Sequence, residues 1–215
     1  MKEKRIVFTG DSITDCDRLW DEGQEKLGFG YVRMIREQLS EAEAGAVRII
    51  NRGHNGYTAF QMRQRWEEDC ISLKPDTLTI LVGVNDLSIH LCGAGGYDGE
   101  GFGRHVEWLL RKAREKTGAR IILMEPFLFP KPAEYRNWMP ALGTFREHLR
   151  RLSEQYGTAF IPLWDVFQAA QGQYPVEALT TDGIHLTALG HEMIADEWMK
   201  VWRFGRRESL GRRCR

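Results

Sequence analysis

The chain has 215 residues, 42% hydrophobic and 28% charged, enough to bury a core without disulfides or metal. Thirty Lys plus Arg against thirty Asp plus Glu leave no net charge, which argues against a nucleic-acid binder. Four scattered cysteines (Cys16, Cys70, Cys92, Cys214) without a Cys-x-x-Cys, and no apolar run approaching about 18 residues, argue against a zinc module and a membrane span.

Five short runs rich in Ile, Val, Leu, Phe or Thr predict strands at 5–9, 47–51, 77–82, 119–124 and 158–162. Near-continuous apolarity suits strands covered on both faces. Helical patterns fall between them, at 29–44 with Val32, Ile35 and Leu39 on one stripe, at 58–72, at 100–117, at 140–156 and from 187 to 202. Alternation of strand and helix predicts an α/β fold, three layers α/β/α with a five-stranded parallel sheet. No linker or repeat interrupts it, so residues 1–204 form one expected domain. Residues 205–215 are an expected flexible tail, part of an end (Arg203–Arg215) that carries six Arg and one Glu. Two expected loops, 87–100 and 126–140, are long enough to wall a pocket. The chain enters its first strand within a few residues of Met1, and the expected setting is cytoplasmic with free thiols.

In an open parallel sheet, ligands bind beyond the carboxyl ends of the strands. Four polar segments meet there: Gly10-Asp11-Ser12, Asn51-Arg52-Gly53-His54-Asn55-Gly56, Gly83-Val84-Asn85-Asp86 and Asp182-Gly183-Ile184-His185. A serine hydroxyl attacks an ester only when a base takes its proton. His185 is the candidate base for Ser12, and Asp182, three residues before it, the candidate orienting acid. A tetrahedral intermediate also needs donors for its oxyanion; the candidates are the N–H groups of Ser12 and Gly53 and the side-chain amide of Asn85.

These four segments, in this order, resemble the blocks of the SGNH hydrolases, also called GDSL esterases and lipases. The resemblance implies a flavodoxin-like sheet, Ser12 as nucleophile, Asp182 and His185 completing a triad, and Gly53 and Asn85 in the oxyanion hole. Gly10 to Cys16, Gly30-Tyr31-Val32, Arg65 to Asp69 and Leu123 to Phe127 look closer still to the intracellular acetyl-xylan esterases of that family. That implies a serine esterase removing short acyl groups, acetyl from acetylated xylo-oligosaccharides or other sugars, without cofactor or metal, and a homo-oligomer. The partner is then a small-molecule ester, neither nucleic acid nor membrane. The alternatives are a thioesterase or lysophospholipase of the same fold, or a non-catalytic carbohydrate-binding protein. Asp11, His54, Trp20 and Trp138 are candidate substrate contacts, and Asp11 and Asp86 also read as braces of their turns. Cys16 and the remaining histidines read as structural.

Overall fold

The computed structural model describes residues 3–93 and 95–211, with side chains described as far as Phe204. In chain order the elements are β1 (Lys4–Gly10), α1 (Ser12–Asp15), α2 (Tyr31–Gln38), α3 (Glu41–Ala44), β2 (Val47–Gly53), α4 (Ala59–Asp69), β3 (Thr77–Leu81), α5 (Val84–Leu91), α6 (Gly99–Lys116), β4 (Arg120–Met124), α7 (Met139–Tyr156), β5 (Ala159–Ile161), α8 (Leu163–Ala170), α9 (Val176–Leu179) and α10 (Ala188–Gly211).

Successive side chains of a strand point to opposite faces, and β1 feeds two cores in this way. Ile6 and Phe8 pack with Tyr31 and Ile35 of α2, Phe167 of α8 and Trp198 of α10. Val7 packs on the other face with Trp66 of α4, Val106 and Leu109 of α6 and Leu149 of α7. The strands are parallel, in the order β2-β1-β3-β4-β5. Burying one aromatic or large aliphatic side chain contributes about 1.5–3 kcal/mol, so the two layers hold the sheet from both sides. Trp198 is fully buried and still satisfied, because its indole N–H donates to Thr79 Oγ1 at 2.9 Å.

The register sets the site. Gly10 is level with Gly53 on one side and Leu81 on the other; Leu81 is level with Met124, and Met124 with Ile161. All five strands therefore end on one line, and their following loops leave from the same edge.

Several elements differ from the sequence expectation, the short helices α1 and α9 among them. The helix expected at 29–44 is two helices, because Ser40 and Glu43 form a capping box that starts α3 afresh. Part of the loop expected at 87–100 is helical, since α5 runs to Leu91. α8 follows β5 directly and was not expected. α10 continues past Trp202 to Gly211, so its backbone enters the expected tail, while 212–215 lie outside the described residues. Among the described residues, no helix is long and apolar enough to cross a membrane.

Candidate active site

β1 ends at Gly10 and the chain turns at once into α1. Asp11 caps that single turn: its Oδ1 accepts the Ile13 N–H at 3.0 Å. Ser12 is therefore the first helical residue, partly exposed, and its own N–H takes no partner among the described residues. Its Oγ lies 3.0 Å from His185 Nε2, and His185 Nδ1 lies 2.7 Å from Asp182 Oδ2. The other oxygen of Asp182 accepts the N–H groups of Ile184 and His185, at 2.9 and 2.8 Å. Partial burial pushes the Asp182 carboxyl up, but these three hydrogen bonds outweigh it and hold the group below its usual value. Asp182 is thus kept ionised beside the imidazole, the arrangement that stabilises an imidazolium.

The turn carrying this pair is closed on itself. Thr181 N–H and Thr180 Oγ1 both donate to His185 O, at 2.9 and 2.7 Å, and Gly183 N–H donates to Thr180 Oγ1 at 2.8 Å. It is also fastened to the segment after β4, where Phe129 N–H donates to Gly183 O at 2.8 Å. In the same segment, Tyr135 lies close enough to Asp182 to feel its charge; the sequence placed this tyrosine in the loop 126–140 without giving it a role of its own.

Gly53, expected as an oxyanion donor, is not free to act as one: its N–H donates to Asn51 Oδ1 at 2.8 Å. It is glycine for a different reason. A Cβ there would collide with the backbone of Thr14 and Asp15, so Gly53 lets the end of β2 lie directly against α1. Asn51 seals this contact, its Nδ2 donating to Thr14 O and Leu27 O, both at 2.7 Å. Gly56, three residues on, is open to solvent, takes a positive φ of 76°, and has an N–H without partner among the described residues. It is flanked by Tyr57, whose carbonyl accepts Asn85 Nδ2 at 3.0 Å. The second glycine of the same block was in plain view in the sequence, but spacing alone did not separate the packing glycine from the exposed one.

The expected substrate contacts fare unevenly. Asp11 is fully buried and cannot touch a substrate; burial pushes its carboxyl up to about 7, against the pull of the Ile13 N–H and of His185. His54 has both ring nitrogens engaged, Nε2 with Asp69 Oδ2 at 2.8 Å and Nδ1 facing Arg18 Nη2 at 3.4 Å, so it is not a free pocket wall. Trp20 is 80% exposed in the turn after α1. Trp138 is half-buried in a 3₁₀ turn, Ala133–Trp138, against the Tyr135 ring at 4.5 Å. Asp86 braces: both its oxygens accept the Ala59 N–H at 3.1 Å, at the start of α4. Cys16 and His191 pack behind α1, where His191 Nδ1 accepts the Tyr31 N–H at 3.2 Å and Nε2 faces Cys16 Sγ at 3.6 Å.

The model of the GDSL-like lipase/acylhydrolase family matches residues 8–193, which include every residue of this cluster. The chain belongs to that family. It is an esterase-type hydrolase, and two of its curated relatives are esterases. It is 29% identical to the acetylxylan esterase of Geobacillus stearothermophilus over 92% of this chain and 93% of that one. It is 25% identical to the isoamyl acetate-hydrolyzing esterase of Saccharomyces cerevisiae, over 93% and 85% of the two chains. Among solved structures, a putative GDSL-like lipase from Parabacteroides merdae superposes with a TM-score of 0.87 at 37% identity, covering 93% of this chain and 95% of that one. Structures of the Geobacillus enzyme described as catalytic mutants replace a serine, an aspartate and a histidine, the last two three residues apart. Asp182 and His185 have the same spacing.

Proposed function

We propose that the protein hydrolyses short-chain esters, acetyl esters of sugars in particular, through an acyl-enzyme on Ser12. The observation that carries this reading is the continuous chain from Ser12 Oγ to His185 Nε2 at 3.0 Å and from His185 Nδ1 to Asp182 Oδ2 at 2.7 Å. His185 takes the Ser12 proton as Oγ attacks the ester carbonyl, and Asp182 stabilises the imidazolium formed. The oxyanion is held by the N–H of Ser12, the N–H of Gly56 and the second hydrogen of Asn85 Nδ2, the first being spent on Tyr57 O. His185 then protonates the departing alcohol, and water repeats the sequence on the acyl-enzyme.

The acetyl preference is supported by the two named relatives, since one is an acetylxylan esterase and the other hydrolyses isoamyl acetate. A bulky alcohol is supported by exposure: the side chains of His185 and Asp182 are both about half accessible, so the leaving-group side is open. Association of several copies belongs to the same reading, and the exposed Leu19 and Trp20 are apolar surface that a second copy would cover.

Ser12→Ala is expected to lower kcat on 4-nitrophenyl acetate by at least about 1,000-fold with the melting temperature unchanged; retained hydrolysis removes Ser12 from the mechanism. On nitrophenyl esters of rising length, kcat/KM should peak at acetate, and acetylated xylo-oligosaccharides should release acetate faster than aryl acetates at equal concentration. A maximum at about eight carbons would instead favour a thioesterase or lysophospholipase.

A further inference from the structure

The molecule holds a second histidine–carboxylate pair, beside the proposed oxyanion turn rather than Ser12. His54 Nε2 meets Asp69 Oδ2 at 2.8 Å, and Asp69, nearly buried, is itself held by Arg65 Nε at 3.1 Å. Burial pushes the Asp69 carboxyl up, yet the bonds from His54 and Arg65 bring it below its usual value, so the pair is charge-assisted. Arg18 faces the other ring nitrogen, and its Nε is bonded to Gly53 O at 2.7 Å and to Asp15 Oδ1 at 3.0 Å. The imidazole is thereby fixed in plane and in rotation.

The fixed ring supports one thing. Tyr57 stacks on it with ring centroids 4.4 Å apart and an interplanar angle of 19°. The turn between them is short: His54 N–H donates to Gly10 O at 3.0 Å, Tyr57 N–H donates back to His54 O at 3.2 Å, and Gly56 lies between. The Tyr57 carbonyl is the acceptor that orients Asn85 Nδ2. We infer that His54 is a positioning residue for the oxyanion hole: clamped by Asp69 and Arg18, it holds Tyr57, and through Tyr57 it sets the Gly56 N–H and the Asn85 amide. This rests on the proposed esterase mechanism. His54 touches no reacting atom; its effect is geometric, and displacing a donor by about 1 Å is enough to cost on the order of 100-fold in rate.

The test is a double-mutant cycle on 4-nitrophenyl acetate with His54→Ala, Asn85→Ala and the pair, reading kcat, KM and melting temperature for each. Asn85→Ala should lower kcat by about 100-fold. His54→Ala should lower kcat by about tenfold with KM within about twofold, and because the Gly56 donor remains when Asn85 is gone, the double variant should be slower than Asn85→Ala alone by clearly less than tenfold. His54→Phe, which keeps the stack and loses the Asp69 bond, should recover part of kcat; it replaces His54→Ala in the cycle if that variant does not fold. If the two falls in kcat multiply, or His54→Ala leaves kcat unchanged while the melting temperature drops, His54 has only a structural role and the inference is overturned while the esterase mechanism stands. If Asn85→Ala leaves kcat unchanged, the oxyanion assignment itself fails and takes the inference with it.

Discussion

Two glycines of one block do opposite work. Gly53 is an absence of volume: α1 occupies the place of its missing Cβ. Gly56 is a backbone conformation, with φ at 76° and nothing near its missing Cβ. Gly53→Ala should therefore fail at the level of folding, with little soluble protein or a melting temperature lowered by more than about 10 °C. Gly56→Ala should fold, with about 1 kcal/mol of strain, and show its effect in kcat. Circular-dichroism melts beside ester turnover distinguish the two. Ser12 and Asn85 could be brought to one edge from the sequence because each closely follows a strand end, and Asp182 and His185 because they stand just before the last helix. The packing glycine could not be recognised, because what fixes it is the Asn51 side chain folding back on the chain, and no local pattern signals that. Two buried carboxyls add a pH signature. Burial pushes both Asp11 and Asp86 up to about 7, against the N–H bonds each accepts. An acid raised in the folded state stabilises fully below its unfolded value near 4 and loses that contribution as pH rises to about 7. Asp86→Asn keeps an acceptor for Ala59 without the charge. Its melting temperature should thus rise relative to the parent between pH 4 and 8, by the equivalent of roughly 1–3 kcal/mol. A constant offset across that range would mean Asp86 ionises freely in the folded protein.

Among the elements, the strands were readable because burial on both faces leaves an unbroken apolar run, as in Ile6-Val7-Phe8 of β1 and Ile121-Ile122-Leu123-Met124 of β4. Helix boundaries were harder. The break between α2 and α3 is written as Ser40 followed three residues later by Glu43, a signature masked by the alanines around it. The start of α5 reads as a turn, since Asn85 and Asp86 are poor helix formers. They hold neighbouring segments from the first turn of α5: Asn85 donates to Tyr57 O and Asp86 accepts from the start of α4. α1 is too short to be stable alone and depends on what clamps it. Asn51 supplies that clamp: it donates to Thr14 O of α1, and it is itself held by donating to Leu27 O and accepting the Gly53 N–H. Removing it leaves buried polar groups without partners, at about 1–3 kcal/mol each. Asn51→Ala should lower stability by at least about 2 kcal/mol in urea melts, and lower kcat more than it changes KM.

For the whole molecule, the cluster spans from β1 to the turn before α10, yet each of its parts is anchored to something rigid: Ser12 to the sheet, Asn85 to Tyr57, His185 to its own closed turn. Among the described side chains, the two most exposed large apolar ones lie in the turn after α1, where Leu19 is 67% and Trp20 80% exposed. If copies of the chain meet there, light scattering should give a multiple of the monomer mass, and replacing both residues by Ser should return the monomer. A monomer at the outset would remove the association from the reading.

β2 is an edge strand, paired on one side only, with β1. Edges are where sheets open first, and local openings need far less free energy than global unfolding. Because Asn51 and Gly53 are both on β2, an opening that frees only this strand should also release α1, and Ser12 with it. Heating should then separate two events: loss of turnover, with faster amide exchange confined to 47–53, several degrees before the ellipticity of the remaining strands and helices collapses. On cooling after the first event alone, turnover should return in full without refolding; a loss of turnover that coincides with global unfolding would mean β2 does not open separately.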